Sequence, residues 1–75
     1  MAKHLCDINI GYRAADCVDR HGPSPAKELK RLRLERKRYY DWKSGIAPSA
    51  FAFQQMALNG YDIRYILTGK KEVTP

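Results

Sequence analysis

Glycine and proline punctuate this chain so closely that long regular elements are excluded. Gly22-Pro23, Pro25, Gly45, Pro48, Gly60 and Gly69 cut it into five short segments. Each segment spaces its apolar residues by three and four rather than by two, which is the period of a helix. The expectation is an all-α chain of five short helices.

The segment from about Ile8 to His21 offers two stripes. One is Ile10, Ala14, Cys17, Val18 and His21; the other is Leu5, Ile8, Tyr12 and Ala15, and spacing alone leaves open which is buried. Gly22 closes this helix. Ser24 then caps a second one that opens with Pro25, whose missing N–H would have no intrahelical partner at that position. It runs to about Leu32, with Ala26, Leu29 and Leu32 facing inward. Arg33-Leu34-Glu35 reads as a tight break.

A third helix spans roughly Arg36 to Ser44 and is two-faced. Tyr39 and Trp42, joined by Leu34 and Ile46, make an apolar back, while Lys37, Tyr40, Asp41 and Ser44 face the other way. Pro48 or Ser49 opens a fourth helix in which Ala50, Phe53, Met56 and Ala57 share a face, closed by Asn59-Gly60. Asp62 caps a short fifth helix holding Ile63, Ile66 and Leu67, which Gly69 ends. Residues 70–75 form a polar tail, so residues 1–75 make one domain with its core between about 8 and 69.

At 75 residues such a domain buries only about 60% of the surface of its unfolded chain. A hydrophobic fraction of 44% suffices for a helical core. No stretch nears the roughly 20 apolar residues that span a bilayer, and residues 1 to 22 show no secretory signal, so a cytoplasmic protein without membrane association is expected. Cys6 and Cys17 are too few for a disulfide framework and are read as reduced thiols, Cys17 in the core.

The net charge of +6 points to an acidic partner. Most of the excess is local: Lys27, Lys30, Arg31, Arg33, Arg36, Lys37, Arg38 and Lys43 stand against Glu28, Glu35 and Asp41. Two helices joined by a short break, the second cationic in front and aromatic behind, have the arrangement of a helix-turn-helix that reads a DNA groove. Base stacking by Tyr39 and Trp42 is disfavoured, because their spacing on the apolar side is what a buried back requires.

Trp42-Lys43-Ser44-Gly45-Ile46-Ala47-Pro48, with the closing Tyr65-Ile66-Leu67-Thr68-Gly69, resembles the Xre or Cro/CI class of phage-type repressors over about Ile10 to Gly69. The resemblance implies a compact lambda-repressor-like DNA-binding domain. It implies base contacts from Arg36, Lys37 and Tyr40, and phosphate contacts from Ser24, Lys27, Arg38, Lys43 and Ser44. It also implies a homodimer paired through the last helices, here assigned to Phe51, Tyr61, Ile63 and Tyr65. Three positions depart from the family: Arg33 stands where the turn usually has glycine, Leu29 where a small residue lets the second and third helices approach closely, and Pro25 where a glutamine often supports the recognition helix.

His4, Cys6, Cys17 and His21 form the only metal-like set, at spacings that match no zinc module, so no metal and no other cofactor is expected. No phosphate loop, carboxylate pair or activated nucleophile suggests an enzyme or a small-molecule substrate. The expected function is a transcriptional repressor that binds an inverted-repeat operator in double-stranded DNA and works by occupying a promoter, since a chain this short leaves no room for a sensing domain. The resemblance extends to autoregulators of small phage operons, including the anti-CRISPR-associated group. The alternatives are an antitoxin-like module whose main partner is a protein, and a nonspecific binder of RNA or membrane surfaces.

Overall fold

The structure is a computed structural model that describes residues 9–70. It holds five helices: α1 (Asn9–His21), α2 (Pro25–Arg31), α3 (Arg36–Lys43), α4 (Ala50–Leu58) and α5 (Ile63–Thr68), with no strand among the described residues. No helix among them is long and apolar enough to cross a membrane.

Cap chemistry sets where these helices begin. Ser24 accepts from the Lys27 N–H at 3.3 Å, Ser49 from that of Ala52 at 3.2 Å, and Asp62 from that of Tyr65 at 3.0 Å. Each satisfies one of the amide donors a helix start leaves orphaned.

The ends of α2, α3 and α4 share one closure. In each, the residue after the C-cap takes a positive φ and two amides fold back onto the last turn. Arg33 and Leu34 donate to Lys30 and Leu29, Gly45 and Ile46 to Trp42 and Asp41, and Gly60 and Tyr61 to Ala57 and Met56. This is the Schellman arrangement. Glycine occupies the left-handed position at Gly45 (φ 102°) and Gly60 (φ 86°), whereas α2 uses Arg33 (φ 61°). The turn therefore keeps the geometry that usually calls for glycine and forces a side chain into it.

Helix α1 is the centre of the packing and lies against α2, α3 and α5. Ala14 and Val18 are fully buried, Ile10 and Cys17 are half-buried against the core, and Tyr12 is exposed. Of the first stripe all but the exposed His21 face inward, but Ala15 of the other stripe is buried as well, as is Gly11; Leu5 and Ile8 lie outside the described residues. A β-carbon on Gly11 would fall 2.5 Å from the Ile46 carbonyl oxygen and 2.7 Å from that of Trp42. Only glycine lets α1 approach the end of α3 so closely.

The remaining core is Leu29 and Leu32 from α2, Tyr39 and Trp42 from α3, Ala52 and Met56 from α4, Tyr61, and Ile66 from α5. Three faces differ from expectation. On α4 the buried residues are Ala52 and Met56 with Phe53 half-buried, whereas Ala50 and Ala57 are exposed. Its sequence, AFAFQQMAL, is apolar nearly all round and gives periodicity little to phase on. On α2 Ala26 is exposed and Glu28 is buried instead. Ile46 projects outward, 57% exposed, and does not extend the apolar back.

Glu28 is buried because it is fully partnered. Arg31 grips it with two N–H donors, at 3.1 and 2.5 Å, and the Tyr61 hydroxyl donates to it as well. Arg31 holds its carboxyl below the usual carboxylate range, and burial opposes that effect. Tyr61, assigned from the sequence to a dimer interface, is instead 5% exposed inside the monomer. Its ring stacks on His21 at 3.9 Å between centroids. Two further side chains tie helix ends to neighbouring helices: Gln55 donates to the Leu32 carbonyl at 3.1 Å and Arg13 to that of Ile66 at 2.9 Å.

Candidate nucleic-acid interface

The first turn of α3 carries Arg36, Lys37 and Arg38, and its N-cap residue Glu35 makes no side-chain cap. Cations at a helix N-terminus oppose the helix dipole, where carboxylates would favour it. An isolated segment of this sequence has little reason to be helical. Such a local conflict has to be repaid by tertiary packing, and conflicts of this kind concentrate at functional sites.

The repayment comes from beneath. Trp42 is 1% exposed and Tyr39 is 6% exposed. The Tyr39 hydroxyl donates to the Asp19 carboxylate at 2.6 Å, joining the middle of α3 to α1. That bond, reinforced by burial, pushes the phenol up to about 12. With its back bonded and buried, α3 is held in one rotational setting, and Arg36, Lys37 and Tyr40 are exposed. Tyr40 is 59% exposed and packs its ring edge-on to Tyr39 at 5.5 Å.

Arg36, Tyr40 and Lys43 recur at helical spacing along one flank of α3. That flank forms a groove with Ser24, Pro25 and Ala26 at the start of α2. The structure thus brings the expected base readers Arg36 and Tyr40 together with the expected phosphate contacts Ser24 and Lys43. Lys43 extends over the Tyr39 ring, 5.2 Å from its centroid, which steadies a long side chain while leaving its charge exposed. Lys27 and Lys37 are exposed as well. Among the described residues no ion pair ties Lys27, Arg36, Lys37 or Lys43 to a carboxylate.

Two of the expected phosphate contacts stand differently. Ser44 gives its hydroxyl proton to the Asp41 carbonyl at 2.8 Å, at the carbonyl end of α3, where the dipole disfavours an anion. In the structure its hydroxyl closes the last turn of α3. Arg38 lies 3.6 Å from Glu35 and 3.9 Å from Asp41, so its charge already has carboxylate partners within the chain.

The four residues expected to pair two subunits do not form one patch. Phe51 is 56% exposed and lines a cleft beside α3, and Tyr61 is buried. Ile63 is half-buried against the core, and Tyr65 borders a separate groove with Cys17, Arg20, His21 and Asp62. No group of three or more His, Cys, Asp or Glu that could hold a metal occurs among the described residues. His4 and Cys6 lie outside them.

Asp19 and Gly11 are the positions that sequence reasoning missed. Asp19 reads as an ordinary surface charge on α1, and nothing local links it to Tyr39. Fold and site together define an all-helical domain that holds a cationic helix on an aromatic base, beside the start of the preceding helix. Comparison with family models, with curated proteins and with solved structures returned no match.

Proposed function

We propose that the chain is a sequence-specific DNA-binding protein of the helix-turn-helix kind, with α2 and α3 as the motif and α3 as the helix that enters the major groove. The observation that carries this reading is the division of α3 into two faces. Tyr39 and Trp42 are fixed in the core, while Arg36, Lys37 and Tyr40 are exposed beside the start of α2. Charge attraction alone would not require a cationic helix to be gripped in one setting. Reading base edges does, because a bidentate contact tolerates little rotation.

In this reading Arg36 forks onto a guanine edge, Lys37 and Tyr40 reach neighbouring bases, and Ser24, Lys27 and Lys43 hold phosphates. Ser24 already accepts from the Lys27 amide, which leaves its own hydroxyl proton free to donate. Two copies on an inverted repeat would place their recognition helices about 34 Å apart, one helical turn of DNA. Bound there in the cytoplasm, the protein represses by occupying a promoter and needs neither a cofactor nor catalysis. A lambda-repressor-like arrangement and control of its own operon belong to the same proposal.

Selection of bound sequences from random duplex DNA tests it. The expected result is an enriched, two-fold symmetric site. Enrichment of no sequence, with equal retention of RNA and DNA, would leave only a nonspecific polyelectrolyte, and co-purification of a second chain that masks α3 would favour the antitoxin-like alternative.

A further inference from the structure

The groove between α3 and the start of α2, about 340 Å³ in volume, combines two chemistries. Arg36 and Lys43 from α3 and the Ser24 cap make part of its lining cationic and polar. No carboxylate lines it. By contrast, Glu35 and Asp41 line the cleft at Phe51, Asp62 the groove at Tyr65, and Asp16 and Asp19 the groove between Tyr12 and Lys43. A polyanion is accepted in the first and partly repelled from the others.

The rest of the lining is carbon. Pro25, Ala26 and Leu29 bring no side-chain donor or acceptor, and Pro25 lacks a backbone N–H as well. Tyr39 also borders the groove, but its hydroxyl is committed to Asp19, so it offers only its ring. Ala26 is exposed and Pro25 half-buried, and neither belongs to the core. An apolar surface beside a base-reading cation has one counterpart in the major groove. Base pairs present donors and acceptors there, and the C5-methyl of thymine is the apolar group among them.

We infer that this groove reads the 5-methyl group of a thymine, seated against Pro25, Ala26 and the ring of Tyr40, close to the guanine that Arg36 contacts. Arg36 and Tyr40 stand four residues apart, about 6 Å along the helix, which is less than two base steps of about 3.4 Å each. The thymine therefore lies within about two base pairs of the guanine. The inference rests on the DNA-binding reading and deepens it, since α2 then supplies specificity as well as anchorage. It also sets DNA apart from RNA, because uracil has no such methyl.

Single-atom-group substitution in the DNA tests this. In a duplex selected for binding to the full chain, each thymine is replaced in turn by deoxyuridine, which keeps the hydrogen bonds of the pair and removes one methyl. At one thymine near the guanine, affinity is expected to fall about fourfold, the worth of one buried methyl. Ala26→Gln lays a polar side chain into the groove from an exposed position. That variant should keep the wild-type melting temperature and its preference for the guanine, yet bind the thymine and uracil duplexes alike. A selected site with no thymine near the guanine would overturn the assignment, as would uracil duplexes that all bind like the parent. So would a sensitive thymine that stays equally sensitive in Ala26→Gln, since its methyl is then read elsewhere. Failure of the DNA reading shows earlier and separately, as a wild-type chain that retains selected and scrambled duplexes equally.

Discussion

At the residue scale, two side chains connect the candidate site to the fold. Tyr39 donates to Asp19, so Tyr39→Phe should cost roughly 0.5 to 1.5 kcal/mol in denaturant unfolding. The same phenol gives a signed pH dependence. Its folded value lies near 12 against 10 for the free group. Its contribution is therefore complete below pH 10 and lost as pH rises toward 12. Stability profiles of wild type and Tyr39→Phe should converge over that interval. Glu28 has the opposite sign. Its folded value is lowered from 4.5, so its contribution is present above that pH and lost as acid takes it through the lowered value. Glu28→Gln should flatten the acid limb of the curve, and an unchanged limb would mean that the carboxylate is not held by Arg31. Neither Asp19 nor Glu28 was legible as a partner. Both look like solvated helix charges, and their partners come from other helices, so no local pattern joins them.

At the element scale, the chain spelled out most of its helix starts and stops. Ser24, Ser49 and Asp62 cap, and Gly45, Gly60 and Gly69 terminate, because these are local backbone requirements met by local residue types. The turn between α2 and α3 shows where that legibility fails. Arg33 takes the left-handed conformation that Gly45 and Gly60 take after α3 and α4, although its residue type gives no hint of it. Removing the side chain should relieve strain of about 1 to 2 kcal/mol, offset by about 0.5 to 1 kcal/mol of glycine backbone entropy. Arg33→Gly is accordingly expected to raise the melting temperature modestly, and a fall would show that the Arg33 side chain stabilises the turn by contacts that outweigh the strain. Helix α4 was legible as a helix but not in its phase, since a nearly all-apolar sequence does not say which side is in. Gly11 presents the converse problem. Inside a helix it reads as a weak former, whereas it admits the carbonyls of Trp42 and Ile46. Gly11→Ala should cost about 1 to 3 kcal/mol through overpacking against backbone that cannot yield.

At the scale of the whole molecule, charge and packing act on the same helix from opposite sides. Three cations begin α3 against its dipole, and a tyrosine and a tryptophan beneath hold it in place. That opposition was readable because a period of 3.6 sorts Tyr39 and Trp42 away from Lys37 and Tyr40, whereas Arg36 was assigned by the resemblance. What sequence could not sort was which polar groups are already committed, as Ser44 is to a carbonyl and Tyr61 to Glu28. If the exposed face meets phosphates and bases, affinity should fall steeply with salt, with a log-log slope of about 0.9 for each phosphate neutralised. Arg36→Ala bears on the reading of bases themselves. Competition between a selected duplex and its scrambled counterpart, for wild type and Arg36→Ala side by side, is the most direct measurement. The account predicts that wild type strongly prefers the selected site and that the variant loses roughly 1 to 3 kcal/mol of that preference, while its affinity for scrambled DNA changes far less. Equal affinity of wild type for both duplexes, or an Arg36→Ala protein that discriminates as well as its parent, would contradict it.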